Sequence, residues 1–287
     1  MGSSSWSADF YNDRQAVRAK TGQDAFAHNH NISSGKVAAE AHAKMSPRDA
    51  RRESRDSSAH PNSIAIGVML DVTGSLANNP RIIQANLPTL LKGLEGVVED
   101  PQILFGAVGD AKSDRASLQV GQFESGIEMD DDLSRFYLEG NGGGNGGESY
   151  ELAIYWFARH TSIDCMEKRN KKGYLFIIGD EPPHAFVEPA EVESVLGSKL
   201  ASRISVEAIV KECQEKYNIF FLIPNGSSHS SERSVEARWA KLLGAENVMH
   251  FNSTETSSVI ARHIARVEAK TAGKKADVSP QANVVRL

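Results

Sequence analysis

The chain has 287 residues, of which 40% are hydrophobic and 24% are charged, and its formal net charge is −5. That length is enough to bury one large core or two small ones, and the acidic balance argues against a general nucleic-acid binder. No apolar run reaches the roughly 18 residues that a membrane-spanning helix needs.

Two further features bear on the compartment. The opening residues, MGSSSWSADFYNDRQ, lack the apolar core of a secretory signal. Cys165 and Cys213 are the only cysteines and form no CxxC pair, which is typical of reduced thiols. We therefore expect a cytoplasmic protein without a membrane span, and association with a virus particle is left open.

Residues 1–62 are polar and carry little strand signal. Within them, SSGKVAAEAHAKM begins on a serine cap and ends before Pro47, which predicts a helix over about 34–45. The segment has too few apolar residues for a core of its own, so we expect an extension rather than a domain. The HNH sequence at 28–30 lacks further ligands and is more typical of exposed polar residues than of a metal site.

From residue 63 onward, strands alternate with helices. Continuous apolar runs predict buried strands, and an alternating run predicts an edge strand over 117–123. The buried runs lie at 64–70, 103–110 and 173–180, and two further strands are predicted at 218–224 and 247–251. Segments with helical apolar spacing separate them, which predicts a doubly wound, mostly parallel α/β sheet with helices on both faces over 63–270. We expect the tail, 271–287, to be loosely ordered.

The first buried run ends in DVTGS, which places Asp71, Thr73 and Ser75 at the carboxyl end of a strand. In a doubly wound sheet, ligands bind beyond these ends. One carboxylate and two hydroxyls are hard oxygen ligands that suit Mg²⁺ or Ca²⁺. The alternative is that the two hydroxyls cap the next helix and the carboxylate binds turn amides.

Two distant segments favour the metal. IIGDEPPH places Asp180 at the end of another buried strand, where it would face Asp71 across the switch point, and two such carboxylates favour a cation between them. EGNGGGNGGESYELA is a glycine-rich loop in which Asn145 and Glu148 could reach a metal. A phosphate cradle and a flexible linker are its alternatives, although GxxxxGK[ST] is missing and the loop follows a helix.

The order of these motifs resembles the von Willebrand factor A (vWA) domain over about 63–270. DVTGS, GGGNGGES and GDEPPH are most similar to a bacterial and phage-type branch that includes domains joined to alpha-kinases, with DxTGS, GGGDxPE and DAPPH. The family's usual first motif is DxSxS, and Thr73 keeps the hydroxyl. The resemblance implies a doubly wound sheet with a metal-ion-dependent adhesion site.

The resemblance also implies a set of ligands. Asp71, Thr73 and Ser75 would form the first metal-binding loop, and Asp180 would be the aspartate after the fourth strand. The family's middle-loop threonine has no clear match, because Asn145 and Glu148 stand at the aspartate and glutamate of GGGDxPE. The fourth ligand is therefore open between Asn145, Glu148 and water.

Two neighbouring residues have weaker claims. Asp110, in FGAVGD, ends another central strand and is either a residue just outside the ligands or an ordinary turn aspartate. His184, in PPHAF, is either a base or a residue that packs in its turn.

We expect a metal-dependent protein–protein interaction module and not an enzyme, so no catalytic residue is assigned. The expected cofactor is Mg²⁺, with Ca²⁺ and Mn²⁺ left open. Because the hydroxyls are neutral, the cation should favour an anionic ligand, and the resemblance implies an Asp or Glu carboxylate of another protein. No nucleic acid is expected as a partner.

Two other classes of function stay open. A Mg²⁺-dependent phosphohydrolase is one, but a haloacid-dehalogenase-like site would have an acid at position 73. A bacterial or phage assembly protein with a degenerate metal site is the other. Residues 1–62 and the insertion around 186–203 would then be assembly surfaces.

Overall fold

The computed structural model describes residues 4–140, 147–271 and 273 of the 287. The described strands are β1 (Arg52–Ser54), β2 (Ser63–Asp71), β3 (Asp100–Val108), β4 (Leu118–Val120), β5 (Thr161–Ile163), β6 (Gly173–Ile178), β7 (Phe186–Val187), β8 (Ile204–Ser205), β9 (Tyr217–Pro224) and β10 (Val248–Phe251). The described helices are α1 (Ala8–Thr21), α2 (Ala27–Ser33), α3 (Asn79–Ala85), α4 (Leu87–Leu94), α5 (Glu128–Ser134), α6 (Tyr150–His160), α7 (Asp164–Arg169), α8 (Pro189–Glu191), α9 (Val206–Gln214), α10 (Arg233–Leu243) and α11 (Thr256–Thr271).

Six strands form the central sheet in the order β10-β9-β6-β2-β3-β4. All neighbours are parallel except β4, which pairs antiparallel with β3 at the edge. All nine residues of β2 are buried, as expected for a strand covered on both faces. The predicted mixed α/β fold with a mostly parallel, doubly wound sheet is therefore confirmed, as is the edge strand that lies within 117–123.

Helices cover the sheet on both faces. On one, α4 packs against α11; on the other, α6 packs against α9. The apolar stripe of α4 is buried through Leu87, Leu90, Leu91 and Leu94, as its helical spacing predicts. The insertion after β6 is packed rather than free, since Val187, Val192 and Leu196 are buried.

The predicted helix over 34–45 is wrong. Helix α2 ends before it at Ser33, Gly35 adopts a left-handed φ of 72°, and only Ala43–Met45 forms a short 3₁₀ turn. The alanine-rich stretch has high helix propensity, but short helices need an apolar face to pack. Here Val37 is 43% exposed, so the packing that would stabilise this helix is missing.

Helix α1 was not predicted, although its ends carry cap signals. The Ser7 side chain accepts from the Phe10 backbone N–H, and Gly22 ends the helix at φ 67°. Tyr11 is the one residue of α1 that is buried. A helix with so little apolar surface gives no periodic signal in the sequence.

The N-terminal segment packs on the rest of the chain. β1 pairs in parallel with β5, and Tyr11, Phe26 and Met45 belong to the same apolar cluster as the sheet. The division into 1–62, 63–270 and 271–287 stays a prediction. Apart from Thr271 and Gly273, the tail lies outside the described residues. No helix in the described part of the chain is long and apolar enough to cross a membrane.

Candidate metal centre at the carboxyl end of the sheet

The candidate site lies where β2 and β6 end side by side. Leu70 pairs with Ile178 across the two parallel strands, so Asp71 and Asp180 follow at the same edge of the sheet. After β2 the chain turns through a 3₁₀ segment, Gly74–Leu76. Ser75 lies in this turn, and its side chain lies outside the described part of the structure.

Asp71 is buried, and both of its carboxylate oxygens accept hydrogen bonds. Oδ1 accepts from the Thr73 backbone N–H at 2.8 Å and from the Thr73 hydroxyl at 2.6 Å, and Oδ2 accepts from the Tyr150 hydroxyl at 2.6 Å. Burial raises the pKa of Asp71 to about 7, against the lowering effect of these donors, and the charge of Asp180 adds to the rise. Because the Thr73 hydroxyl donates to Asp71 Oδ1, its proton points toward Asp71.

Glu148 is the second acid of the site and is 0% exposed. Its Oε1 lies 3.2 Å from the Thr73 hydroxyl oxygen. Its Oε2 is buried and has no hydrogen-bond partner among the residues that the structure describes. Burial, followed by the nearby charge of Asp71, raises the pKa of Glu148 to about 10. An oxygen buried in this way calls for a proton or a cation.

Tyr150 closes the site on the side of α6. Burial, followed by the Asp71 charge, raises its pKa well above the ordinary value, so its hydroxyl is a neutral donor. A Cβ at Gly179 would overlap this hydroxyl. The glycine of the IIGD sequence is therefore required for Tyr150 to reach Asp71.

Asp180 connects the site to the loop after β9. It is buried, and its Oδ2 accepts from the His229 backbone N–H at 2.9 Å. The His229 ring lies 2.7 Å from Glu232, which raises the pKa of His229, and the charges of Glu181 and Asp180 add to the rise. The rim of the site at this loop thus carries a half-exposed imidazole.

A separate network holds Asp110. This aspartate is fully buried and accepts from His184 Nε2 at 2.9 Å and from the Ser149 hydroxyl at 3.2 Å. The His184 backbone N–H donates to Glu151, and the Glu148 backbone N–H donates to the Pro182 carbonyl. The network therefore ties the end of β3 and the proline turn to the segment that carries Glu148. His184 thus packs in the proline turn through its contacts with Asp110 and Glu151.

The structure thus brings Asp71, Thr73 and Glu148 into contact and places Asp180 beside them. Asn145 lies outside the described residues. Sequence reasoning missed Tyr150 and His229. Tyr150 begins a helix directly after Glu148, where an aromatic residue is usually part of the core, and the His229 contact is made by a backbone N–H, which has no sequence signal.

The donor set can be tested against Mg²⁺. Octahedral Mg²⁺ has oxygen ligands at about 2.0–2.1 Å, so adjacent ligand oxygens lie about 2.9 Å apart. The Thr73 and Glu148 oxygens, 3.2 Å apart, are close to that separation. Because the Thr73 proton points to Asp71, lone pairs of the hydroxyl remain for a cation.

No group of three or more His, Cys, Asp or Glu side chains in the described ranges could hold a metal ion by itself. A cation here would therefore need hydroxyl, backbone or water oxygens as well, which suits a hard cation rather than zinc.

Fold and site together define a doubly wound α/β protein with a buried cluster of acids and hydroxyls at the carboxyl end of its sheet. No protein-family model matches the sequence, and no curated protein matches it. Among solved structures, the chain is similar to the pilus adhesin SpaC from Lactobacillus rhamnosus GG in its open conformation, with TM-score 0.48, 9% identity, and coverage of 78% of this chain and 31% of SpaC. A second SpaC structure gives TM-score 0.48, 8% identity, and coverage of 78% and 32%.

The chain is also similar to proximal thread matrix protein 1 from the mussel byssus, with TM-score 0.44, 10% identity, and coverage of 71% of this chain and 48% of that protein. The chain thus spans about a third of SpaC and about half of the mussel protein. At these identities and TM-scores, nothing about function follows from the similarities.

Proposed function

We propose that this chain is a vWA-like protein-interaction module that binds one divalent hard cation at the carboxyl end of β2 and β6. The observation that carries the proposal is Glu148, a fully buried carboxylate with one oxygen beside the Thr73 hydroxyl and the other without a partner among the described residues. A bound cation would satisfy this oxygen and remove the repulsion between Glu148 and Asp71.

The proposed ligands are the Thr73 and Ser75 hydroxyls and Glu148, with Asn145 or water as the alternative to Glu148. Asp71 and Asp180 would act directly or through water. Mg²⁺ is the preferred ion, and Ca²⁺ and Mn²⁺ have the same oxygen preference. When bound, the cation would supply an open coordination position to an oxygen of another protein, in this proposal an Asp or Glu carboxylate.

We propose binding rather than catalysis. A phosphohydrolase of the Asp type needs a free carboxylate oxygen as nucleophile. Both oxygens of Asp71 accept hydrogen bonds from Thr73 and Tyr150, which disfavours that role. Absence of Mg²⁺-dependent hydrolysis of a phosphate monoester would agree with this, and hydrolysis that Asp71→Asn abolishes would contradict it.

The test is a capture experiment from native host extract, with Mg²⁺ or with EDTA. Thr73→Val removes the hydroxyl at nearly constant shape, and Thr73→Ser is the matched control that keeps it. We expect the same partner with the wild type and Thr73→Ser in Mg²⁺, and its loss in EDTA and with Thr73→Val. If neither EDTA nor Thr73→Val reduces the amount of captured partner, the result would favour the alternative function of an assembly protein with a degenerate metal site.

A further inference from the structure

The negative charges around the proposed cation position limit which further ligands the cation can bind. Asp71 and Asp180 are both buried beside the proposed position, and as two carboxylates they would neutralise a divalent ion. Glu148 adds a third negative charge, and a carboxylate from a partner would add a fourth. Four carboxylates around one divalent ion would leave uncompensated negative charge at a buried site, which is costly. Glu148 and an incoming carboxylate would therefore compete for the same cation.

The burial of the site leads to the same conclusion. Asp71, Thr73, Glu148 and Asp180 are all buried within the chain itself. The Glu148 backbone is held by the Pro182 carbonyl, and its side chain faces the Thr73 hydroxyl. Within the described part of the chain, an oxygen from another molecule would therefore have to displace a buried side chain to reach a cation beside Thr73, and Glu148 has no partner there for one of its oxygens.

We propose that Glu148 is an internal carboxylate ligand that occupies the position a partner's Asp or Glu would take. This inference rests on the proposed function and adds to it that Glu148 controls the access of anionic ligands to the cation. The cation-loaded chain is closed to anionic ligands while Glu148 is in place. It opens when Glu148 swings away from Thr73, a displacement that the larger interface of a protein partner can drive and that free acetate cannot.

The experiment uses Mn²⁺ as the cation and acetate as the smallest stand-in for an Asp or Glu side chain. Mn²⁺ affinity is measured by electron paramagnetic resonance for the full chain, with and without excess acetate. Glu148→Gln keeps the shape of the side chain and removes the charge. Glu151→Gln is the matched control, because Glu151 is also fully buried and has one oxygen without a partner among the described residues, but its other oxygen accepts from the His184 backbone N–H.

In the wild type and Glu151→Gln, we expect Mn²⁺ to bind and acetate to leave the affinity unchanged. In Glu148→Gln, we expect the affinity to fall roughly tenfold, since oxygen sites depend on ligand charge, and acetate to restore it. Circular dichroism checks that each variant is folded. A second arm needs no variant: acetate should not change the water relaxation rate of Mn²⁺ bound to the wild type.

Three results would overturn the inference. Unchanged Mn²⁺ affinity in Glu148→Gln would show that Glu148 is not a ligand. Acetate binding to the loaded wild type would show that the site is already open. Both of these leave the proposed function standing, whereas a wild type that binds no Mn²⁺ would remove the proposed function together with the inference.

Discussion

Two buried acids in this chain, Asp130 and Glu148, have the same exposure and opposite surroundings. Both are 0% exposed. Asp130 accepts two hydrogen bonds from Arg18, at 2.9 and 2.7 Å, one from Gln84 at 2.7 Å and a longer one from Arg14 at 3.3 Å. Glu148 contacts the Thr73 hydroxyl with one oxygen and has no partner for the other among the described residues.

The difference separates a structural charge from a candidate functional one. Burying a carboxylate is costly unless donors and countercharges surround it. The arginines of α1 provide both for Asp130, and in doing so they dock a helix that buries only Tyr11. Glu148 has no such compensation in the described part of the chain, so a proton or a cation would complete its environment.

The largest effect should come from removing a partner of Asp130. Arg18→Ala leaves that buried carboxylate undercompensated, and we expect a loss of about 3 kcal/mol in the free energy of unfolding. Urea denaturation measures it, and the loss should be the same with Mg²⁺ and with EDTA. Arg14→Ala should cost less, because Arg14 is more exposed and makes the longer contact. If Arg18→Ala lost less stability than Arg14→Ala, Arg18 would not be the main partner of Asp130, which would contradict this account of the compensated acid.

The next effect is stabilisation by Mg²⁺. A cation that binds only the native state should raise the free energy of unfolding by about 2.7 kcal/mol at 100 times its dissociation constant. Asp71→Asn should abolish this gain while it keeps an acceptor for the Tyr150 hydroxyl. Thermal scans with Mg²⁺ and with EDTA provide the measurement. An equal gain in wild type and Asp71→Asn would place the bound ion elsewhere.

The pH dependence of the metal-free chain should give a somewhat smaller effect. The pKa of Glu148 rises from its ordinary 4.5 to about 10 on folding, so the native state binds the proton more tightly than the unfolded state. Between these two values, stability must fall as the pH rises, by up to about 1.4 kcal/mol per pH unit. In EDTA, wild type should lose about 2 kcal/mol relative to Glu148→Gln between roughly pH 6 and pH 7.5.

Urea denaturation of both proteins at a series of pH values measures this difference. Mg²⁺ should reduce it, because a bound cation replaces the proton. A wild type that gains stability relative to Glu148→Gln as the pH rises would mean that Glu148 already has a countercharge.

The smallest effect is expected at His28, which is partly exposed and whose Nε2 lies 2.9 Å from the Glu40 carbonyl oxygen. His28→Ala removes one of the two histidines of the HNH sequence. The free energy of unfolding should change by less than about 0.5 kcal/mol, as for most surface substitutions, and Zn²⁺ should leave it unchanged in both proteins. If Zn²⁺ raised the free energy of unfolding of wild type and His28→Ala removed that gain, the HNH sequence would be a second metal site, outside the buried acids compared above.

The sheet could be predicted because its signals are local. Each of the five predicted strands coincides with a strand of the sheet. The three continuous apolar runs among them are largely buried, since a strand covered on both faces must be apolar, whereas β10 lies at the sheet edge and is mostly half-buried or exposed. The helix over 34–45 was wrong because propensity without packing does not stabilise a helix. Helix α1 was missed because it docks through Arg14 and Arg18, whose partners lie more than 110 positions away along the chain.

The candidate site was predictable in its loops but not in its contacts. Strand ends at Asp71 and Asp180 follow from the apolar runs that precede them. The contacts of Glu148 with the Pro182 carbonyl and the Thr73 hydroxyl did not follow, because they join segments that are distant in the sequence, and the choice between Glu148, Asn145 and water stays a prediction. Tyr150 as a donor to Asp71 depends on α6 packing over β6 at Gly179, which is a contact in space and not a pattern.

Calorimetric titration of Mg²⁺ into the metal-free chain tests most directly whether the buried Glu148 carboxylate, one oxygen of which has no partner among the described residues, binds a cation. Wild type and Thr73→Ser should each bind one Mg²⁺ per chain, and Thr73→Val should bind none, and we expect circular dichroism to show that all three are equally folded. A wild type that binds none of Mg²⁺, Ca²⁺ and Mn²⁺ at millimolar concentration, or a Thr73→Val variant that binds as wild type does, would contradict this.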